Sequence, residues 1–401
     1  ERSTTARLLA ERALVRSNLG DYAGSLDDVV TSIEIAETTG DRWSLGRARW
    51  VLADLAAYGS IDRWRSLSDD AIDALVAAND RFALAYARVW RAVPHLTRGD
   101  ISAGRDALDV AADDVAQVDN PSLNTSHLAW RAWAAFHCGE LAECSDLIDR
   151  ALAAPGFRLG TQVAFLQCLR AEAMMLRGVE TPDWDRNAAT IRRLERRGEV
   201  LAAGLHEQWE AAGLLHDDVS GALDVAQRLE RELSPSFRVA RMIARIVAAW
   251  ATFARGELDA ARRHLELAGE TPSLARWPLH AWQLHAVDGL LLAADGRFDA
   301  SRAATGTARD VASTSGLGIA EVRAIQTQAL IAGASGDHTT VAELFGTIGE
   351  RTAAMGLSGR FAPLSDPYDL VVGAAREVLG SDGFAAAATR GRTGDAQPVT
   401  G

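Results

Sequence analysis

A turn returns along this chain about every forty residues. It stands at Gly20-Asp21-Tyr22, Gly59, Gly99-Asp100-Ile101, Gly139-Glu140-Leu141, Gly178, Gly256-Glu257-Leu258, Gly296-Arg297-Phe298 and Gly336-Asp337-His338, and Asp217 holds the place between Gly178 and Gly256. Successive markers are 39 or 40 residues apart throughout. So constant a period restricts the chain to a repeat architecture, in which each unit buries its apolar face only against its neighbours. The stretch Leu128–Leu152 shows the unit. An apolar helix ends at Gly139, and a second, amphipathic helix carries Leu141, Cys144, Ile148, Ala151 and Leu152 on one face. Glycine suits the break because it alone takes a left-handed helix-ending conformation without steric cost.

Other columns share this register. Seven residues before the marker stand small residues: Ala13, Ala92, Ala132, Ala171, Ala249, Gly289 and Ala329. Twelve after it come Ala71, Ala111, Ala151, Ala268 and Ala308. Small side chains at both positions let the two helices of a unit approach closely. Nine before the marker are Trp50, Trp90, Trp130, Leu169 and Val247; eight before it are Arg12, Arg91, Arg131 and Arg170. Adjacent helix positions point roughly 100° apart, so the Trp column can enter the inter-unit core while the Arg column stays nearer a surface. Six before the marker stand Val93, Trp133, Trp250 and Leu290.

The small residue, the Gly-acidic-aliphatic or Gly-acidic-aromatic turn and the second small residue together resemble the tetratricopeptide repeat. The period departs from that family, whose units have about 34 residues. The resemblance covers roughly residues 5–356 and implies an all-α fold. It would be a right-handed α-solenoid of about nine TPR-like antiparallel helix pairs, with the column six before the marker facing its concave groove. Asp119-Asn120-Pro121-Ser122 reads as a turn between units. Unit five has a longer turn, with Pro182 outside any helix interior and Asp183 as a helix cap; unit six, near 198–233, is the least regular.

Beyond residue 356 the repeat stops. A helix from about Ser365 to Leu379 ends at Gly380, and Ser381 starts a short one to about Thr389. This segment, 357–389, is expected to cap the open apolar end of the stack, and 390–401 reads as a flexible tail or linker. Ala375-Arg376, Leu379-Gly380, Phe384, Ala387 and Gly391-Arg392 are similar to the end of the helical-repeat region in large bacterial signal-transduction ATPases. These include large ATP-binding LuxR-type transcriptional regulators and some multidomain nucleotide cyclases. In that family an ATPase precedes the repeats and a DNA-binding domain can follow them. The opening on Glu1 and the linker-like end fit a piece of such a longer protein.

Composition excludes several function classes. All 42 basic residues are Arg, so neither a phosphate-binding loop of the Walker type nor a Schiff-base lysine is present. The net charge of -12 argues against direct nucleic-acid binding. The cluster Arg192-Arg193 and Arg196-Arg197 is interleaved with Glu195 and Glu199, as on a solvated helix face. Cys138, Cys144 and Cys168 lack zinc-ligand spacing, read as small buried residues and fit a reduced, cytoplasmic compartment. His280 and His285 are not at same-face helical spacing for a metal, and no nucleophile elbow occurs. Paired carboxylates such as Asp69-Asp70, Asp113-Asp114 and Asp217-Asp218 are explained by capping and solubility. No membrane span is indicated.

The expectation is a non-catalytic ligand- or partner-sensing region with no cofactor and no metal. Its partners would be a small-molecule or peptide effector or a protein, together with the parent's own ATPase. The ligand-binding candidates are Arg91, Arg131, Trp133 and Arg170, a column that could track an extended peptide or polyanion. A constitutive protein-protein scaffold and the regulatory repeats of a nucleotide cyclase are the alternatives. For the Arg column, ion pairs to neighbouring acids are the competing role.

Overall fold

The computed structural model describes residues 1–19, 21–56, 61–154, 160–178, 215, 218–233, 238–270, 272–358 and 363–393. Every regular element among them is a helix. Numbered along the described residues, the first four pairs are α1 (Arg2–Asn18) with α2 (Tyr22–Thr39), α3 (Arg42–Ala56) with α4 (Ile61–Ala78), α5 (Arg81–Arg98) with α6 (Ile101–Val118), and α7 (Pro121–Cys138) with α8 (Leu141–Ala153). Then come α9 (Gly160–Leu176), α10 (Val219–Glu232), α11 (Arg238–Ala254) with α12 (Leu258–Gly269), and the single turn α13 (Pro272–Ala275). The last are α14 (Pro278–Ala294) with α15 (Phe298–Thr314), α16 (Gly318–Ala334) with α17 (His338–Met355), and α18 (Ser365–Thr393). The chain is thus an all-α helical-repeat solenoid. Among the described residues, no helix is long and apolar enough to cross a membrane.

The forty-residue marker has one structural meaning. Gly99, Gly139, Gly178, Gly256, Gly296 and Gly336 all have φ between 68° and 93°, the left-handed conformation that stops each first helix. Gly20, Gly59 and Asp217 lie outside the described residues, as do the Pro182–Asp183 turn and the Arg192–Arg197 cluster. The acidic residue after several markers, or at a unit boundary, is a helix cap. Asp21, Asp80 and Asp337 accept the backbone N–H of the residue three further on, and Asp218 does the same for Gly221.

The small-residue columns are the contact between paired helices. Ala13, Ala92, Ala132, Ala249 and Ala329 are fully buried, as are Ala71, Ala111, Ala151 and Ala308. Close approach permits a bond that the sequence pattern alone did not reveal. The buried Ser25 hydroxyl donates to the Ala13 carbonyl at 2.7 Å, and Ser301 donates to the Gly289 carbonyl at 2.6 Å. A larger residue at position 289 would press on Thr305 and the Ser301 backbone.

The described helices gather into two compact units. The first holds Glu1–Ala134 and Leu147–Leu166; the second holds Ala135–Asp146 and the described residues from Gln167 onward. Inside the second unit, contacts join segments far apart in sequence. Ser358 N–H donates to the Leu176 carbonyl at 2.8 Å. Gly318 sits against the Cys138 carbonyl, and Gly139 against Met355, with no room for a Cβ at either position. The turn of unit four therefore touches both helices of unit nine, beyond nearest-neighbour stacking.

At the C-terminus, α18 breaks at Gly380, whose φ of 67° and ψ of 169° are non-helical. Gly346 of α17 faces the Ala388 carbonyl, and Gly391 of α18 faces the Glu343 carbonyl. The two helices thus cross backbone to backbone at a pair of glycines. Arg376 lies over the rings of Phe345 and Phe384 at 5.2 and 4.9 Å. Arg390 pairs with Glu343 at 2.9 Å, and these ties carry helical geometry to Thr393, past the expected end near Thr389. Residues 394–401 of the expected tail lie outside the described residues.

Candidate ligand-binding face

The first helices of units two to five place aromatic rings in succession. On α3 Trp50 meets Tyr86 of α5 edge-on, with centroids 5.2 Å apart. Tyr86 stacks on Trp90 one helical turn later at 5.8 Å. Trp90 meets Trp130 of α7 at 6.2 Å, and Trp130 reaches Phe165 of α9 at 5.3 Å. Trp133 closes the series by stacking on Phe165 at 5.7 Å. These separations suit edge-to-face and offset pairing of ring quadrupoles. Trp50 is buried, whereas Trp90, Trp130 and Trp133 are half-buried, so the ladder is partly open to a ligand. The other residues six before the marker do not share that exposure: Val93, Trp250 and Leu290 are buried.

The arginines border this ladder. Arg91 pairs with Asp69 of α4 at 2.8 Å, and Arg131 pairs with Asp109 of α6 at 3.5 Å. Each partner lies 22 residues upstream, so the two pairs are the same tie repeated from one unit to the next. Their side chains keep 39% and 37% exposure, which makes them surface pairs worth about 0–1 kcal/mol each rather than buried clamps. Arg170 is exposed on α9 and belongs to the second compact unit. Arg12 makes a different, two-pronged bond to the buried Asp28 within its own pair, at 2.6 and 2.7 Å.

Where α3, α4 and α5 meet, a cleft with room for about one water molecule, about 10 Å³, is lined by Trp50, Asp54, Trp64, Ser68, Trp90, Arg91 and Pro94. Helical spacing assembles it: Asp54 lies one turn after Trp50, Ser68 one turn after Trp64, and Pro94 one turn after Trp90. Asp54 makes no hydrogen bond or ion pair with any described residue, and burial pushes its carboxyl up to about 6. Burial also pushes the neighbouring Tyr86 phenol up to about 12. The Trp90 indole N–H is buried and has no acceptor in hydrogen-bond geometry. Pro94 lies inside α5 and has no N–H to give the Trp90 carbonyl.

The second unit holds a buried polar cluster. Arg323 of α16 faces Glu172 of α9 at 3.9 Å. Burial raises Glu172 and lowers Arg323, each opposed by the other's charge. Burial holds the His137 imidazole down at about 3, helped by Arg323, and the His280 imidazole at about 4. His280 stacks on Trp277 at 6.0 Å and is 1% exposed. Burial likewise pushes the Cys144 thiol up to about 12, as for a packed residue rather than a nucleophile.

Of the residues named from sequence, Arg91, Arg131 and Trp133 lie beside one continuous ladder, and Arg170 does not join them within the first unit. Tyr86, Phe165 and Asp54 went unnamed, although Tyr86 and Asp54 each stand one helical turn from a tryptophan of the periodic column. Phe165 stands 13 residues before its marker, the register position that Tyr86 holds in unit three, so the period carries a signal for both that the columns named above leave out. No family model matches this chain, and no curated protein matches it.

Proposed function

We propose that this chain is the ligand- or partner-sensing region of a bacterial ATP-dependent transcriptional regulator, without catalytic activity of its own. It would work in the cytoplasm, as a right-handed superhelix of about nine pairs, beside the regulator's own ATPase. The observation that carries the binding role is the partly open aromatic ladder of Trp90, Trp130, Phe165 and Trp133, edged by Arg91 and Arg131. Half-buried tryptophans offer large apolar contact area at low conformational cost, and weakly tied guanidinium groups can exchange their carboxylate for a ligand's. Resemblance at Ala375–Arg392 supports the parent class.

A thermal-shift screen of metabolites and short acidic peptides tests this reading. A ligand should raise the melting temperature of the wild type. Arg131→Ala and Trp133→Ala should each weaken its binding about tenfold, at a cost in melting temperature of only a few degrees. A lowered melting temperature with unchanged affinity would make both residues structural and overturn the assignment.

A further inference from the structure

We propose that the cleft between α3, α4 and α5 binds the alkylammonium head of an organic cation, with the Asp54 carboxylate as counter-ion and the Trp50, Trp64 and Trp90 indoles as walls. Trp50 and Trp90 belong to the ladder, so the proposal deepens the reading above and rests on it for the choice of face.

The argument starts from an unanswered charge. The cleft-lining Arg91 and the neighbouring Arg47 are each paired elsewhere. Arg91 is bound to Asp69 at 2.8 Å, and Arg47 to Glu11 at 2.8 Å. The half-buried carboxylate shares the cleft with indoles, alanines, a serine, a proline and Arg91, whose guanidinium is held by Asp69, so it has no ion-pair partner of its own. Tyr22 of α2 and Tyr86 of α5, which also bear on it, bring no positive charge; burial raises both phenols, and the Asp54 charge adds to it. A ligand cation supplies what is missing.

The walls select its chemistry. Indole faces attract cations through their quadrupoles. This aromatic cluster already does so once, since the Arg47 guanidinium lies 4.9 Å from the Trp50 ring and 5.8 Å from that of Tyr86. The oxygen-bearing side chains lining the cleft are Asp54 and Ser68, and Pro94 leaves the carbonyl of the lining residue Trp90 without its helical donor, a third acceptor for a ligand. Three acceptor groups match the three N–H donors of a primary ammonium. They fall short of a guanidinium's five donors and of the six or more oxygens that calcium takes. The cleft has room for no more than one water-sized group, about 10 Å³, so only an ammonium head can enter and its chain is directed outward.

Isothermal titration of the whole chain tests this with butylammonium, a capped Gly-Lys-Gly peptide and butylguanidinium as probes. At least one ammonium probe should bind in the millimolar range or tighter. Asp54→Asn should weaken it by about tenfold or more, with the circular dichroism spectrum unchanged, and butylguanidinium should bind more weakly. The peptide binding tighter than butylammonium assigns the site to a lysine side chain; the reverse order assigns it to a free amine. Trp64→Phe, which keeps a ring, should weaken binding less than Asp54→Asn. Absence of binding by every ammonium probe, or equal binding to wild type and Asp54→Asn, overturns the proposal. Should that happen while an Arg131-dependent ligand persists, the cleft fails and the ladder stands. If ammonium binding depends on Asp54 while Arg131→Ala and Trp133→Ala leave every ligand unaffected, the broader reading fails instead.

Discussion

Replacing Asp54 by Asn should stabilise the unliganded chain near neutral pH, and only there. Asn keeps the shape of the side chain and removes the charge. The folded state holds the Asp54 carboxyl at about 6, above the ordinary 3.8, because burial disfavours the anion. A carboxyl raised in the folded state binds its proton more tightly than it does in the unfolded chain. Its contribution is therefore neutral below about pH 4 and becomes a growing cost as pH rises through about 6. The difference between the two values corresponds to about 3 kcal/mol as an upper bound. Water reaching a half-buried group trims this to roughly 1–3 kcal/mol. Urea denaturation at pH 7.5 should show a higher midpoint for Asp54→Asn with an unchanged slope, and at pH 4 the two proteins should coincide. Comparing the difference between the proteins at each pH is essential, because buried histidines change the stability of both in the opposite direction. A variant less stable than wild type at pH 7.5 would refute the reasoning, since it would mean that a partner stabilises the Asp54 anion. A gain of equal size at both pH values would refute it too, by showing that charge is not the cause.

Other perturbations follow from the same geometry. The depressed imidazoles of His137 and His280 contribute stability that is whole above about pH 6.5 and lost as pH falls toward 4. His280→Phe should flatten that loss by on the order of 2–3 kcal/mol, read as urea midpoints from pH 7 to 4. Gly346→Ala should cost about 3 kcal/mol or more and expose α18 to proteolysis, because its Cβ would strike the Ala388 backbone. Gly349→Ala on the same helix meets nothing within 4 Å and should stabilise by about 0.5–1 kcal/mol, a paired control for chemical denaturation. A double-mutant cycle on Arg131 and Asp109 should return a coupling under about 1 kcal/mol that fades with added salt.

The repeat was legible because one conformational need recurs. Each first helix must end in the left-handed region, and glycine fills that place at Gly99, Gly139, Gly178, Gly256, Gly296 and Gly336. The buried alanines seven before and twelve after follow from one helix spacing and are equally periodic. Periodicity also found the tryptophans of the ladder. Tyr86 and Phe165 share one register position, 13 before the marker, but only units three and five carry a ring there, and each earns its place through a neighbour in space. Asp54 was hidden for a related reason. The chain has 54 acidic residues, and no sequence pattern distinguishes the one whose surroundings lack a counter-charge.

The contacts inside the second unit mark where a repeat stops predicting itself. In a solenoid held only by nearest neighbours, a turn at unit four carries no information about unit nine. Here Gly139 is required twice. Its φ of 87° ends α7, and its missing side chain makes room for Met355. Gly318 is required once, and not for its own dihedral: it lets α16 begin against the Cys138 carbonyl. The first need is visible in the sequence because it recurs every forty residues. The second is not, because it happens once and joins residues about 180–220 positions apart. Polar groups gather in the same unit: Glu172 and Arg323 come from α9 and α16, with His137 at the end of α7. Such a cluster can persist in a packed interior only if its members answer one another's charge or stay neutral. The opposed shifts of Glu172 and Arg323 and the neutral His137 satisfy that condition, so the cluster reads as a structural joint of the fold, while the open, uncompensated Asp54 cleft reads as a place for a ligand.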